Sequence, residues 1–286
     1  MTERLAEIAS RIENMRQLGS VVTVMRGVAA SRVEQSRTLI LGVEAYTKTI
    51  SNAIGEALNF LESPARPPEA PPDKRGLVLF CAEQGFAGAF TRRVIEAAKA
   101  QAKDAMTRGI VMLIGTRGAG VAVEEGLTPD WKAGMANQID AAPEVARRIA
   151  EAVYSRVASG AIAALDIFYS RMNDDRALVV DRVALLPIDL NRFRAAAAPL
   201  PPITTLTPDV LLARLVDEYI YAKLCEATMH SFAAENEARM TAMSAARDNI
   251  GRRLEELAQH EAHVRQEEVT AEIVELAVGV EAQRGR

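Results

Sequence analysis

The stretch ENEARMTAMSAARDNIG, residues 235–251, reads as helix, yet Met240, Met243 and Ile250 are its only bulky apolar residues. The rest is Ala, Ser, Thr, Asn, Gly and charge, too narrow an apolar stripe for an ordinary core helix. Neighbouring sequence extends it. Thr207-Pro208-Asp209 is a helix start, with a hydroxyl at the cap, proline in the first helical position and an acid in the first turn. From there no glycine or proline appears before Gly251, and helical character continues to about residue 278. Roughly 70 residues at ~1.5 Å each give a helix of about 105 Å. Its seam runs through Leu212, Leu215, Tyr219, Ala222, Cys225, Met229, Phe232, Met240, Met243, Ala246, Ile250, Leu254 and Leu257.

The other end of the chain has a matching pattern. Over residues 3–61, steps of three and four residues pick out Leu5, Ile8, Ile12, Met15, Val22, Ala29, Val33, Ile40, Val43, Ile50, Ile54, Ala57 and Leu61. A heptad seam sustained this long predicts a coiled-coil helix of about 90 Å. Gly19, Arg26, Ser36 and Thr47 interrupt it. The simplest packing pairs the two end helices antiparallel, each covering the other's apolar stripe.

Between them the period changes. GLVLFCA (76–82) and GIVMLIG (109–115) are short apolar runs bounded by glycine, as buried strands are. The segment TRRVIEAAKAQAKDAMTR reads as one helix joining them, and APEVARRIAEAVYSRVASG (142–160) as another. ALDIFYSRM and RALVVDRVALLPI read as two further strands with a hairpin turn at Asn173-Asp174-Asp175. These elements predict an α/β domain with a mostly parallel sheet and one antiparallel edge. Proline-rich segments, SPARPPEAPPDK (63–74) and APLPPITTLTPD (198–209), separate it from the end helices.

Composition narrows the function classes. The 286 residues carry a net charge of −4, which argues against a globally basic nucleic-acid surface. No apolar run reaches the ~20 residues of a membrane span, and MTERLAEIASR lacks a signal-peptide core. Two cysteines, Cys81 and Cys225, make no disulfide framework, which fits a reducing cytoplasm, and their apolar neighbours predict buried packing.

Catalytic patterns are missing. QGFAGAF (84–90) and GTRGAG (115–120) hold glycines at the wrong spacing for a dinucleotide or phosphate loop and read as tight strand-to-helix turns. His260 and His263 share a helix face, but HEAH is not a zinc motif, and a solvent-facing role fits QHEAHVRQEE better. No serine elbow, zinc spacing or catalytic carboxylate pair is evident, and no cofactor is expected. Glu235 with Arg239 and Asp248 with Arg252 are i, i+4 pairs in the favourable order, worth about 0.2–0.5 kcal/mol each on a solvated face.

Layout and motifs together resemble the gamma subunit of rotary F-type ATP synthases, along essentially the whole chain. VMRGVAASR (24–32) is similar to the family's A-M-K-M-V-A-A-S-K block. ENEARMTAMSAARDNIG resembles S-E-N-x-A-R-M-x-A-M-x-A-A-T-D-N-A-G, and VRQEEVTAEIVELAVGVEA (264–282) resembles A-R-Q-x-x-I-T-x-E-L-x-E-I-V-x-G-A-x-A. FCAEQGFAGAFTRRV (80–94) stands where the family has a strand followed by R-G-L-C-G-x-x-N, and departs from it. Val24 and Gly27 likewise stand where the family's block is richer in lysine. These departures leave open a main synthase or a divergent, sodium-linked rotary ATPase.

The resemblance implies a rotor. Residues 1–62 and 207–286 would be the antiparallel coiled-coil helices, and 75–198 a Rossmann-like α/β foot domain. The partners implied are alpha and beta subunits of a catalytic hexamer, an epsilon subunit and a membrane ring of c subunits. The chain itself would be non-catalytic and peripheral, on the cytoplasmic face of a bacterial inner membrane. By match to the family, Met25, Arg239, Gln266 and Thr270 would contact the beta-subunit collar. Periodicity alone also allows a freestanding coiled-coil scaffold with an α/β ligand-binding domain. Fading of the C-terminal seam beyond Leu257, with Glu261 and Glu268 on it, favours a helix tip that needs a surrounding partner.

Overall fold

The computed structural model describes residues 3–61, 74–175, 177–193 and 203–284. Residues 63–73 of the first proline-rich segment and 198–202 of the second lie outside these residues. Two compact units emerge: a larger one, Ala29–Arg239, and a smaller one formed by Met1–Val28 and Met240–Arg286. Two long helices, α1 (Glu3–Leu58) and α6 (Pro208–Arg284), contribute to both.

In the larger unit the chain runs β1 (Arg75–Phe80), α2 (Phe90–Gln101), α3 (Lys103–Arg108), β2 (Ile110–Ile114), α4 (Thr116–Glu124), β3 (Trp131–Ala133), α5 (Ala142–Ala158), β4 (Ala164–Met172) and β5 (Leu178–Leu186). The sheet order is β3-β2-β1-β4-β5. The first four strands are parallel, with Val78 opposite both Met112 and Ile167, and β5 closes the edge antiparallel to β4. Asn173 makes the hairpin: its backbone N–H donates to the Ala177 carbonyl, and its side-chain oxygen accepts from the Ala177 N–H at 2.7 Å.

Strand periodicity sorts the core into two layers. Val78, Phe80, Met112, Ile114, Ile167 and Tyr169 face α1, α5 and α6, packing with Ile54, Leu58, Ile149 and Leu224. Leu77, Leu79, Val111, Leu113 and Phe168 face α2 and α4, packing with Val94, Ile95 and Ala122. Central strands buried on both faces explain the uninterrupted apolar runs in the sequence. Asp166, fully buried on β4, is the charged exception, held by Arg75 at 2.8 Å and Arg182 at 3.1 Å.

Several expectations need correcting. The segment after β1 is two helices, because Ala102 leaves helical geometry at φ −140°, ψ 39°. GTRGAG, expected as a strand-to-helix turn, lies mostly within helix α4 itself, and strand β3 was not expected. Ser36 and Thr47, expected as interruptions of the α1 seam, are buried members of it. Their hydroxyls donate to the carbonyls of Arg32 and Val43 four residues earlier, at 2.7 and 2.9 Å, so burial leaves no unpaired donor.

In the smaller unit the two helices run antiparallel. Leu5, Ile8 and Ile12 pack with Val264, Leu254 and Leu257, and Val22 packs with Met243 and Ile250. A Cβ on Gly19 would meet the Ile250 side chain at 3.4 Å, so the helices approach closely there. The α6 seam does not fade at Leu257: Val264 is as well buried as any residue of this unit. Arg4 pairs with Glu267 at 3.6 Å, and beyond that point Val269, Ile273, Val274 and Leu276 are all exposed.

Candidate functional site

The four residues expected at the collar fall in different surroundings. Gln266 and Thr270 come together on the exposed side of α6 in the smaller unit. The Thr270 hydroxyl donates to the Gln266 backbone carbonyl at 2.7 Å, and both residues are exposed. They line a shallow groove with His263, Glu267, Ala271 and Val274. Met25, in the same unit, is half-buried beside Val22, Met243 and Ile250, so its thioether belongs to the seam.

Arg239 belongs to the larger unit and is only 4% exposed, not the outward-facing cation expected. Its guanidinium pairs with Glu235, donates from Nη1 to the Asn236 side-chain oxygen at 2.9 Å, and donates from Nε to the Gly85 carbonyl at 3.1 Å. Glu235 is buried to 3% and accepts from the backbone N–H groups of Glu83 and Gln84, both at 3.0 Å. The Glu235–Arg239 pair is thus a buried clasp and not a solvated surface pair. Asn236 completes it, its amide donating to the Phe232 carbonyl at 2.8 Å. Of the other expected pair, Arg252 turns to Asn249 and not to Asp248.

The turn that the clasp grips is itself built with care. It leaves the C-terminal end of β1, the central strand, with Phe86 at φ 61° and Gly88 at φ 56°. A bulky aromatic in the left-handed region is uncommon and persists only where surrounding bonds dictate it. Those bonds come from Glu235 and Arg239 on one side and from Arg32, whose Nη1 donates to the Gln84 side chain at 3.2 Å, on the other. Glu83 points the opposite way. Its carboxylate accepts from Thr116 N and Oγ1 at 2.9 Å and from Met135 N at 2.8 Å, tying together the loops after β1, β2 and β3.

The glycines of GTRGAG serve the same junction. Gly115 has φ 112°, and an added Cβ would sit 2.4 Å from the Cys81 carbonyl. On Gly118 a Cβ would meet the Cys81 Cβ at 2.2 Å. So α4 starts against the end of β1, and Gly118 N donates to Ala82 O at 2.8 Å.

In a doubly wound sheet of this order, ligands bind outside the carboxyl ends of the strands where the chain reverses direction, here between β1 and β4. The first backbone amides after β1 are the usual anion cradle. In this chain the anion they hold is Glu235.

The remaining titratable groups carry structural signatures. Cys81 and Cys225 are both buried; desolvation pushes the Cys81 thiol far up and the Cys225 thiol to about 11. His260 and His263 are exposed, the latter 3.2 Å from Glu267. His230 instead lies mostly buried, 3.0 Å from Glu44 of α1 and stacked near Tyr169 at 6.0 Å. Burial lowers its pKa more than Glu44 restores it. Among the described residues no cluster of metal ligands occurs, and no helix is long and apolar enough to cross a membrane.

Two long helices and a five-stranded α/β sheet, with the first amides after β1 held by the chain's own Glu235, define the class of fold. A family model described as ATP synthase matches residues 4–283. The chain belongs to the ATP synthase gamma-chain family. It is 23% identical to an ATP synthase gamma chain of Beutenbergia cavernae, covering 95% of both chains. It is 27% identical to one from Nostoc punctiforme, over 97% of this chain and 98% of the relative. Its fold is similar to a chain of the Euglena gracilis mitochondrial ATP synthase (OSCP, F1 and c-ring). There the TM-score is 0.65 at 12% identity, over 98% of this chain and 94% of the other. A chain of the Tetrahymena thermophila mitochondrial central stalk and c-ring gives 0.55 at 15% identity, covering 79% and 99%.

Proposed function

We propose that the chain is the central-stalk rotor of an F-type ATP synthase, coupling ion flow through a membrane ring to ATP synthesis or hydrolysis in an alpha-beta hexamer. The observation that carries this is α6. It is one uninterrupted helix, Pro208–Arg284, that begins in the α/β unit and continues past the Arg4–Glu267 pair with exposed polar and apolar side chains. Such a helix tip serves a surrounding partner, not a self-contained scaffold. The chain is non-catalytic in this reading, supported by Glu235 occupying the backbone amides that follow β1. It is peripheral, reaching the cytoplasmic face of the bacterial inner membrane through its partners: alpha and beta around the shaft, epsilon and the c ring at the foot.

Purification of the native complex tests this. Three alpha and three beta subunits for each copy of this chain support it; isolation of the chain without them refutes it. The collar contact is proposed for Gln266 and Thr270, supported by their outward placement, with Met25 stiffening the seam beside Met243. Arg239 reaches a collar only by giving up its bonds to Glu235, Asn236 and Gly85. Gln266→Ala combined with Thr270→Ala should lower coupled ATP synthesis while leaving the isolated chain as stable as before. Unchanged synthesis would remove both residues from the contact.

A further inference from the structure

The sequence contains five tyrosines, and in the larger unit all five meet at α6. Four of them anchor its first turns. Tyr154 of α5 donates its hydroxyl to Asp217 at 3.1 Å, and Tyr46 of α1 donates to Glu218 at 2.5 Å. Tyr219 accepts from Arg192 Nη2 at 2.7 Å, while the Arg192 guanidinium stacks over the rings of Phe193 and Tyr219. Tyr221 donates to the Pro143 carbonyl at 3.4 Å. The fifth, Tyr169 of β4, lies against His230 further along.

Position around the helix gives this grouping its meaning. At ~100° per residue, Asp217, Glu218, Tyr219 and Tyr221 spread over roughly 200° of the α6 circumference. Their partners come from three directions: α1, α5 and the turn at Leu190–Phe193. Apolar burial is non-directional in itself, whereas a hydrogen bond has a preferred angle. Hydrogen bonds weaken steeply when misaligned, so bonds placed on several sides of a helix resist its turning about its own axis.

We infer that this set of tyrosine hydrogen bonds around Asp217–Tyr221 joins the Glu235–Arg239 clasp in a torsional grip by which α1, α5 and the Leu190–Phe193 turn hold α6, so that torque passes between them without slip. The inference rests on the rotor reading. Tyr46, Tyr154, Tyr219 and Tyr221 are positioning residues: they touch no nucleotide and act through the helix they hold. The tyrosines suit the task because a phenol places its hydroxyl at the end of a rigid, two-torsion side chain. The raised pKa of Tyr46, to about 12 through its bond to Glu218, keeps that donor protonated at any working pH.

The test uses the chain assembled with its alpha-beta hexamer, the hexamer fixed to a surface and a bead attached through Lys103→Cys on exposed α3. Tyr46→Phe combined with Tyr154→Phe removes two of the four bonds and keeps both rings. With two of the four tyrosine bonds gone and the bonds of Glu235, Arg239 and His230 still in place, the angular variance that the joint adds to a paused bead should rise, by less than about twofold. ATP hydrolysis rate and the unfolding midpoint of the isolated chain should stay as in the wild type, since both bonds are solvent-exposed. Unchanged variance overturns the grip. If the double variant does not assemble, the single variants are measured the same way, and unchanged variance in both also overturns it. A wild-type bead that fails to rotate with ATP instead refutes the rotor reading beneath it.

Discussion

Glu235→Ala is the sharpest perturbation of the clasp. It removes the counter-charge of Arg239, whose side chain is 5% exposed, and leaves the N–H groups of Glu83 and Gln84 without their acceptor. Breaking a buried ion pair from one side costs about 3–5 kcal/mol, because the remaining charge stays desolvated. Arg239→Ala should cost less, because Glu235 keeps two backbone donors in the turn. The double variant should cost less than the sum of the two, with a coupling of about 0.5–3 kcal/mol. For a unit of this size each kcal/mol moves the unfolding midpoint by about 2–4 °C, so Glu235→Ala should lower it by at least ~6 °C. Thermal and urea unfolding of the isolated chain measure the cost, and amide exchange at Glu83 and Gln84 should quicken in step. A cost below ~1 kcal/mol for Glu235→Ala, the range of an exposed pair, would refute the burial argument and return Arg239 to the solvent-facing role expected from sequence.

Other outcomes follow from the same packing. Gly118→Ala should destabilise toward the upper end of the ~1–3 kcal/mol of overpacked sites, because the Cys81 Cβ it meets at 2.2 Å belongs to the central strand; urea unfolding reads this directly. Ile54→Ala, at a fully buried α1 position on the sheet, should cost about 2–5 kcal/mol by the same assay. His230 predicts a pH dependence. Its folded pKa lies below the unfolded ~6.5, so the unfolded chain binds the proton first, and stability falls as pH drops through ~6.5 and levels only below the folded value. His230→Gln should flatten that slope in unfolding curves taken between pH 8 and 5; an unchanged slope assigns it to other groups.

The parts of the fold that were legible in the sequence are those with local periodicity. Both long helices and strands β1, β2, β4 and β5 announce themselves through apolar spacing and flanking glycine. Strand β3 is only three residues and carries no readable alternation. Ser36 and Thr47 look like breaks because residue type alone does not reveal that a hydroxyl can satisfy itself on its own helix. Of the candidate site, Gln266 and Thr270 come from the match to the family, and both lie exposed on α6. The surroundings of Arg239 are not legible in the sequence: its partner Gly85 lies 154 residues away in the chain, and an i, i+4 pair looks the same whether solvated or buried. The signal that could have warned of this was Asn236 beside Glu235, two polar residues with no obvious solvent role.

Glu235 can also be viewed as a ligand that the chain carries for its own binding site. A carboxylate joined covalently to its receptor competes at the effective concentration of its tether, which for short connections is already in the millimolar range before the rigidity of a helix is added. Dissolved phosphate or nucleotide meets those two amides only after displacing a group that cannot diffuse away.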